Sequence, residues 1–242
     1  MRGMTNPSSR IILVTGASRG IGHAAALQLA REGNLVIATA RSKAALEKLD
    51  DEIRVAGSES VLVPMDIKDT KGIETLASVI AEKFGRLDGL VANAGVLGTV
   101  GPVESTGPRS FEETIATNLT ANFNLIRTLS PLLNRSEAPR AVFVTSSVAS
   151  RPRAFWGPYQ ASKAGLEALV LGWADENENL KIRANLFNPG ATRTAMRAEA
   201  MPGEDPMTLP SAEDVAAALV KLVSPDETRS GVLVDYSAIR AV

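Results

Sequence analysis

The sequence predicts an α/β protein, a doubly wound seven-stranded parallel sheet flanked by helices on both faces, in a single domain covering residues 1–242. Three observations predict it. Short apolar, β-branched runs alternate with helix-period segments along the chain. Those runs are apolar at successive positions, the pattern of strands buried on both faces. A glycine-rich turn, Thr15–Gly22, joins the first run to the first helical segment.

Taken in order, Ile11–Val14 is the first strand and Ile21–Arg31 the first helix. Leu35–Ala40 reads as a second buried strand, followed by a charged helix over Ser42–Val55. Val61–Pro64 is the third strand, and Thr70–Phe84 a helix with Ile73, Leu76, Ala77 and Ile80 on one face. Leu87–Ala92 makes the fourth strand, and Phe111–Leu133 one long helix. Ala141–Thr145 is the fifth strand, before a second long helix over Tyr159–Asp175. Ile182–Phe187, the helix Ala212–Val223 and the strand Gly231–Asp235 complete the set. Asn188–Pro210 is expected to be irregular; at that length it suits a lid over a site.

Bulk properties exclude several classes. The formal net charge is −1 with both signs scattered, so no nucleic-acid groove is expected. Cysteine is absent, which removes disulfides, thiolate chemistry and cysteine metal ligands. The single histidine, His23, cannot build a zinc site, so no metal is expected; it reads as a helix-surface residue. Met1–Arg10 is polar and unlike a secretory signal, and no apolar run reaches the roughly 20 residues of a membrane span. The expectation is a cytoplasmic protein without membrane contact.

The turn Thr15–Gly22 carries the first chemistry. Gly16, Ser18, Arg19, Gly20, Ile21 and Gly22 lie where a strand hands over to a helix, so backbone amides at the helix start can receive a pyrophosphate. After the second strand a carboxylate would accept from a ribose 2′-hydroxyl. Arg41 and Ser42 stand there instead. Arg41, with Arg19, offers guanidinium forks for a 2′-phosphate, so NADP is preferred to NAD as the expected cofactor. Tyr159 and Lys163, four apart on one helix face, form a phenol beside an ammonium, expected to bring the phenol's pKa closer to working pH.

Asp66 follows the third strand, Asn93-Ala94-Gly95 the fourth, and Asn118 sits in the long helix. Ser146-Ser147 ends the fifth strand, Tyr159 and Lys163 follow, and Asn188-Pro189-Gly190 follows the sixth. In this order over nearly the whole chain, the set resembles the short-chain dehydrogenase/reductase family, and with it a Rossmann-like sheet. The resemblance implies that Asp66 and Ile67 meet the adenine, and that Asn93, Ala94 and Gly95 line the cofactor. It implies that Pro189, Gly190, Thr192 and Thr194 approach the nicotinamide, and that Asn118 holds a water in a proton relay. Tyr159 then matches the proton donor, and Lys163 the residue that binds the ribose and assists the phenol. For the serine, the family's usual spacing selects Ser146. The small apolar pair Val148-Ala149 selects Ser147 with one residue deleted from the following loop. Ser147 is the choice, and Ser146 stays open.

The implied activity is hydride transfer between NADP(H) and a carbonyl or alcohol substrate. Two alternatives stand beside it: a related lyase or epimerase, and a non-catalytic dinucleotide-binding sensor or scaffold. Trp156 and Phe155 either line the substrate cleft or pack their loop. Met196, Met201 and Met207 suit an apolar pocket, while Arg193 and Arg197 either recognise an acid or face water. A homo-oligomer, dimer or tetramer, is expected through the two long helices. The segment Asp235–Arg240 lacks the glycine pair common in the family, which counts against packing through the last strand.

Overall fold

The computed structural model of the protein describes residues 9–240; Met1–Ser8, most of the polar start, lie outside the described residues. Seven strands form one sheet: β1 (Ile11–Thr15), β2 (Leu35–Ala40), β3 (Ser60–Pro64), β4 (Gly89–Ala92), β5 (Arg140–Val144), β6 (Arg183–Asn188) and β7 (Leu233–Asp235). Their spatial order is β3-β2-β1-β4-β5-β6-β7, and every neighbouring pair is parallel. The order reverses direction between β1 and β4, which opens a crevice beyond the carboxyl ends of those strands.

Alternation along each strand divides the core. Ile11 and Leu13 join one apolar cluster with α3 (Thr70–Phe84), α5 (Ala121–Leu133) and α6 (Gly157–Glu176). Ile12 and Val14 join the other, with α1 (Gly20–Arg31), α2 (Lys43–Val55) and α8 (Ala212–Leu219). Both faces are therefore covered, which is why the strands read as continuous apolar runs. Local signals set the helix ends: Asp69 caps α3 by accepting from the Gly72 amide at 3.0 Å, and Ser211 with Asp214 forms a capping box on α8.

Three expectations change. The single helix over Phe111–Leu133 is instead α4 (Pro108–Ile115), a wide π-helical turn over Ala116–Thr120, and α5. Interposed π turns of this kind concentrate at functional sites, and this one carries Asn118. The stretch Asn188–Pro210 is not wholly irregular: it holds a short helix, α7 (Ala195–Ala200), and a 3-10 turn over Pro206–Thr208. His23 is more than a surface residue, because its Nε2 lies 2.8 Å from Glu52 Oε2 and ties α1 to α2. After β7 the chain enters α9 (Tyr236–Arg240). No helix among the described residues is long and apolar enough to cross a membrane.

Candidate functional site

A cavity of about 910 Å³ occupies the crevice at the carboxyl ends of the strands. Its wall at one end is the turn before α1. The Arg19 N-cap of α1 makes no side-chain cap, so the helix's first amides keep free donors toward the cavity. Gly16 has φ +67, and a Cβ there would stand 2.9 Å from both Ala94 Cα and Asn93 Nδ2. The turn can therefore lie tightly on Asn93-Ala94, whose backbone amides both donate to Thr15 Oγ1 at 3.0 Å. Gly22 does not line the cavity; any side chain there would collide with Asn93 Nδ2 and the Gly16 carbonyl, so its role is packing beneath the turn.

Ser18, Arg19, Gly20, Ile21, Arg41, Ser42, Ile67, Asn93, Ala94 and Gly95 all line the wall with Gly16. Ser42 also caps α2, accepting from the Ala45 amide at 3.3 Å. Thr39, near the end of β2, lines the same wall, and its buried Oγ1 has no hydrogen-bond partner among the described residues. An orphaned hydroxyl, uncapped helix amides and two arginines at one end of a cleft fit a phosphorylated nucleotide. Asp66 departs from expectation: it is not part of the wall, because its carboxylate turns to Lys68, accepting from the amide at 3.0 Å. Its neighbours Met65 and Ile67 face the cavity in its place.

At the other end stand Tyr159 and Lys163, both on α6 and both buried. Lys163 Nζ donates to the Val144 carbonyl at 2.8 Å and lies 5.8 Å from the centre of the Tyr159 ring. Burial pulls the ammonium down to about 8, with Glu167 opposing. Burial pushes the phenol up to about 12, against a hydrogen bond from Ser146. The expected downward shift of the phenol is thus reversed in the protein alone: desolvation outweighs its polar neighbours, and the tyrosine is held protonated.

The serine choice also changes. Ser146 lines the cavity and is the hydrogen-bond partner of Tyr159; Ser147 is exposed and outside the wall. The reason lies in the end of β5. Ser146 keeps extended backbone (φ −157, ψ 150), so strand alternation sends it to the same side as Val144. At Ser147 the chain turns into a 3-10 turn over Ser147–Ala149, and that hydroxyl faces solvent.

Asn118 is fully buried and does not reach the wall. Its carboxamide accepts from the Val96 amide and donates to the Val96 carbonyl and to Ser162 Oγ, each at 2.9 Å. Its own carbonyl accepts from Asn122 Nδ2 at 2.8 Å. Its side chain clamps the segment after Gly95 onto α6. Pro189, Gly190, Thr192 and Thr194 line the cavity beside Tyr159, and Thr194 caps α7 by accepting from the Arg197 amide at 3.3 Å.

Thr39, Met65, Val96, Leu97 and Thr117 also line the wall, beyond the residues expected from the sequence. The signal for Thr39 was available: it lies near the end of a strand beside Arg41 on the side where all parallel strands deliver ligands.

Known proteins resemble the chain over most of its length. A family model described as short chain dehydrogenase matches residues 10–205. The uncharacterized oxidoreductase YciK of Escherichia coli K12 is 40% identical over 225 residues, 92% of this chain and 89% of that protein. A structure described as a short chain dehydrogenase from Pseudomonas syringae superposes with a TM-score of 0.91 at 40% identity, covering 93% of this chain and 94% of that one. Another, described as a short chain dehydrogenase from Escherichia coli CFT073 complexed with NADPH, has a TM-score of 0.89 at 39% identity, covering 93% and 95%.

Proposed function

The chain belongs to the short-chain dehydrogenase/reductase family, and from that premise we propose that it transfers hydride between NADP(H) and a carbonyl or alcohol substrate. One observation carries this reading: Ser146, Tyr159 and Lys163 meet at one end of a cavity whose other end is the uncapped start of α1 with Arg19 and Arg41. The cofactor supplies the hydride. The solved relative complexed with NADPH supports NADP over NAD, as does the absence of an acid in Ala40-Arg41-Ser42.

Each residue then has a task. Arg19 and Arg41 hold the 2′-phosphate, and the α1 amides the pyrophosphate. Thr192 and Thr194, on the cavity wall, would meet the nicotinamide. Ser146 hydrogen-bonds the substrate oxygen as negative charge grows on it. Tyr159, protonated at neutral pH because it is buried, hands that oxygen its proton. Lys163, fixed by the Val144 carbonyl, holds positive charge beneath the phenol and stabilises the phenolate left behind. Homo-oligomerisation through α4–α5 and α6 belongs to the same reading.

The test is NADPH consumption with uncharged ketones and aldehydes, compared across two serine variants. Ser146→Ala is expected to lower kcat by about 100-fold, the effect of removing one oxyanion donor, while Ser147→Ala stays near full rate. Equal loss in both variants, or none in Ser146→Ala, contradicts the assignment. A second outcome follows from Lys163. Its ammonium form holds below about pH 8 and is lost above it. NADPH affinity, measured by fluorescence titration, therefore weakens as pH rises through that value, by up to about tenfold per pH unit. A flat profile speaks against a charged Lys163 at the ribose; Lys163→Met removes the pH limb.

A further inference from the structure

The two large apolar clusters flank the sheet, but a third stands apart, at the mouth of the cavity. It consists of Leu97, Val148, Trp156 and Tyr159, with Met196 and Ala200 of α7 packed against it. All but Val148 line the cavity. Trp156 meets Tyr159 edge-on, ring centres 5.9 Å apart at 70°. The surface next to the phenol is therefore flat, aromatic and apolar.

The indole is held in place by its flanks. Phe155, just before it, is the one non-glycine among the described residues with positive φ (73°), a conformation a bulky side chain adopts only under constraint. The Phe155 carbonyl accepts from the Gly101 amide at 2.9 Å, which holds that turn. Phe155 itself is left 57% exposed while Trp156 is 8% exposed, so the strained residue delivers its neighbour inward. Arg153 lies over the indole, 5.1 Å from the ring centre.

The lid arginines are turned to other partners. Arg197 lines the cavity, but Glu204 Oε2 and Oε1 take its Nε and Nη2 at 2.6 and 2.7 Å. Arg193 is exposed at the rim with Nη1 3.1 Å from Met207 Sδ, and Met207 is not part of the cavity wall. The other ionisable side chain that α8 brings to the wall, Glu213, is an acid. A carboxylate seated against Trp156 would leave water with Arg197 already neutralised by Glu204; Arg193, whose neighbour Met207 is a neutral thioether, keeps its charge at the exposed rim, where water screens it.

We infer that the substrate is an uncharged carbonyl compound bearing an aryl or similarly flat ring, seated against Trp156, with the Arg197–Glu204 pair excluding anionic analogues. This rests on the reductase reading above and names the substrate class of the same site. Flat rings gain from offset or edge contact with an indole beyond their area burial. An anion loses more than a missing methylene group does, because its desolvation is not compensated.

The test uses three probes: acetophenone, its para-carboxylate, and a straight-chain methyl ketone of equal carbon number. Each is measured by calorimetric binding to the protein loaded with NADP and by NADPH turnover. Acetophenone is expected to bind at least about tenfold tighter than either of the others. Trp156→Ala is expected to remove its advantage over the straight-chain ketone, and Glu204→Gln, which frees Arg197, to tighten the para-carboxylate. Native protein that takes the para-carboxylate as well as acetophenone, or a Trp156→Ala variant with unchanged ring preference, overturns the inference. Binding with this selectivity but no turnover of any ketone leaves the inference standing and counts against the reductase reading. Turnover of the straight-chain ketone without ring preference does the reverse.

Discussion

Replacing Tyr159 with Phe is expected to lower kcat by roughly a thousandfold while NADPH affinity is retained, because only the transferable proton is removed. The substitution is structurally mild. The ring stays in the cluster with Leu97, Val148 and Trp156, and the edge-on contact with the indole needs no hydroxyl. Ser146 loses its phenolic partner but lies on the cavity wall, where solvent can replace it. Stopped-flow turnover and fluorescence titration of NADPH on the same preparation separate the two quantities. A variant that keeps full turnover removes Tyr159 from the chemistry, and with it the role assigned to Lys163. A variant that loses NADPH binding as well shows instead that the phenol is part of the cofactor's seat.

The second large effect concerns which cofactor is accepted. Arg41→Asp is expected to lower the preference for NADPH over NADH by about 100-fold, since a charge-assisted fork is replaced by a like charge facing the phosphate. The change should appear in KM for NADPH, with kcat at saturation little altered, because the arginine sits at the far end of the cavity from Tyr159. NADH affinity should hold or improve, as an acid at this position can accept from the 2′-hydroxyl. Arg41 is exposed and outside both large apolar clusters, so the fold should tolerate the substitution. An unchanged ratio would assign the discrimination to Arg19 or to Ser42 instead.

Much of this was legible in the chain itself. β1, β2 and β4 announce themselves because both faces are covered, so apolar residues stand at successive positions rather than at alternate ones. The turn Thr15–Gly22 is legible for a local reason: tight backbone and free helix amides are demanded by a few adjacent residues. Arg41 likewise needed only the knowledge that β2 ends at Ala40.

What escaped depended on geometry beyond a few residues. Asp66 sits where an adenine contact was expected, but the nearby Lys68 draws its carboxylate away. The long helix over Phe111–Leu133 has a continuous helical pattern in sequence, and only the packing of Asn118 against Val96 and Ser162 accompanies its wide turn. A clamp between three elements has no periodicity to read.

The sequence by itself determined the sheet with its covering helices, the phosphate-binding turn, the arginine in place of an acid, and the Tyr159–Lys163 pair on one helix face. Only the tertiary structure decided that Ser146 rather than Ser147 meets the phenol, since one residue of strand extension sets which hydroxyl points into the cavity. Only it decided that the phenol is pushed up to about 12 rather than down, because burial is a property of everything packed around a group and not of its neighbour four residues away.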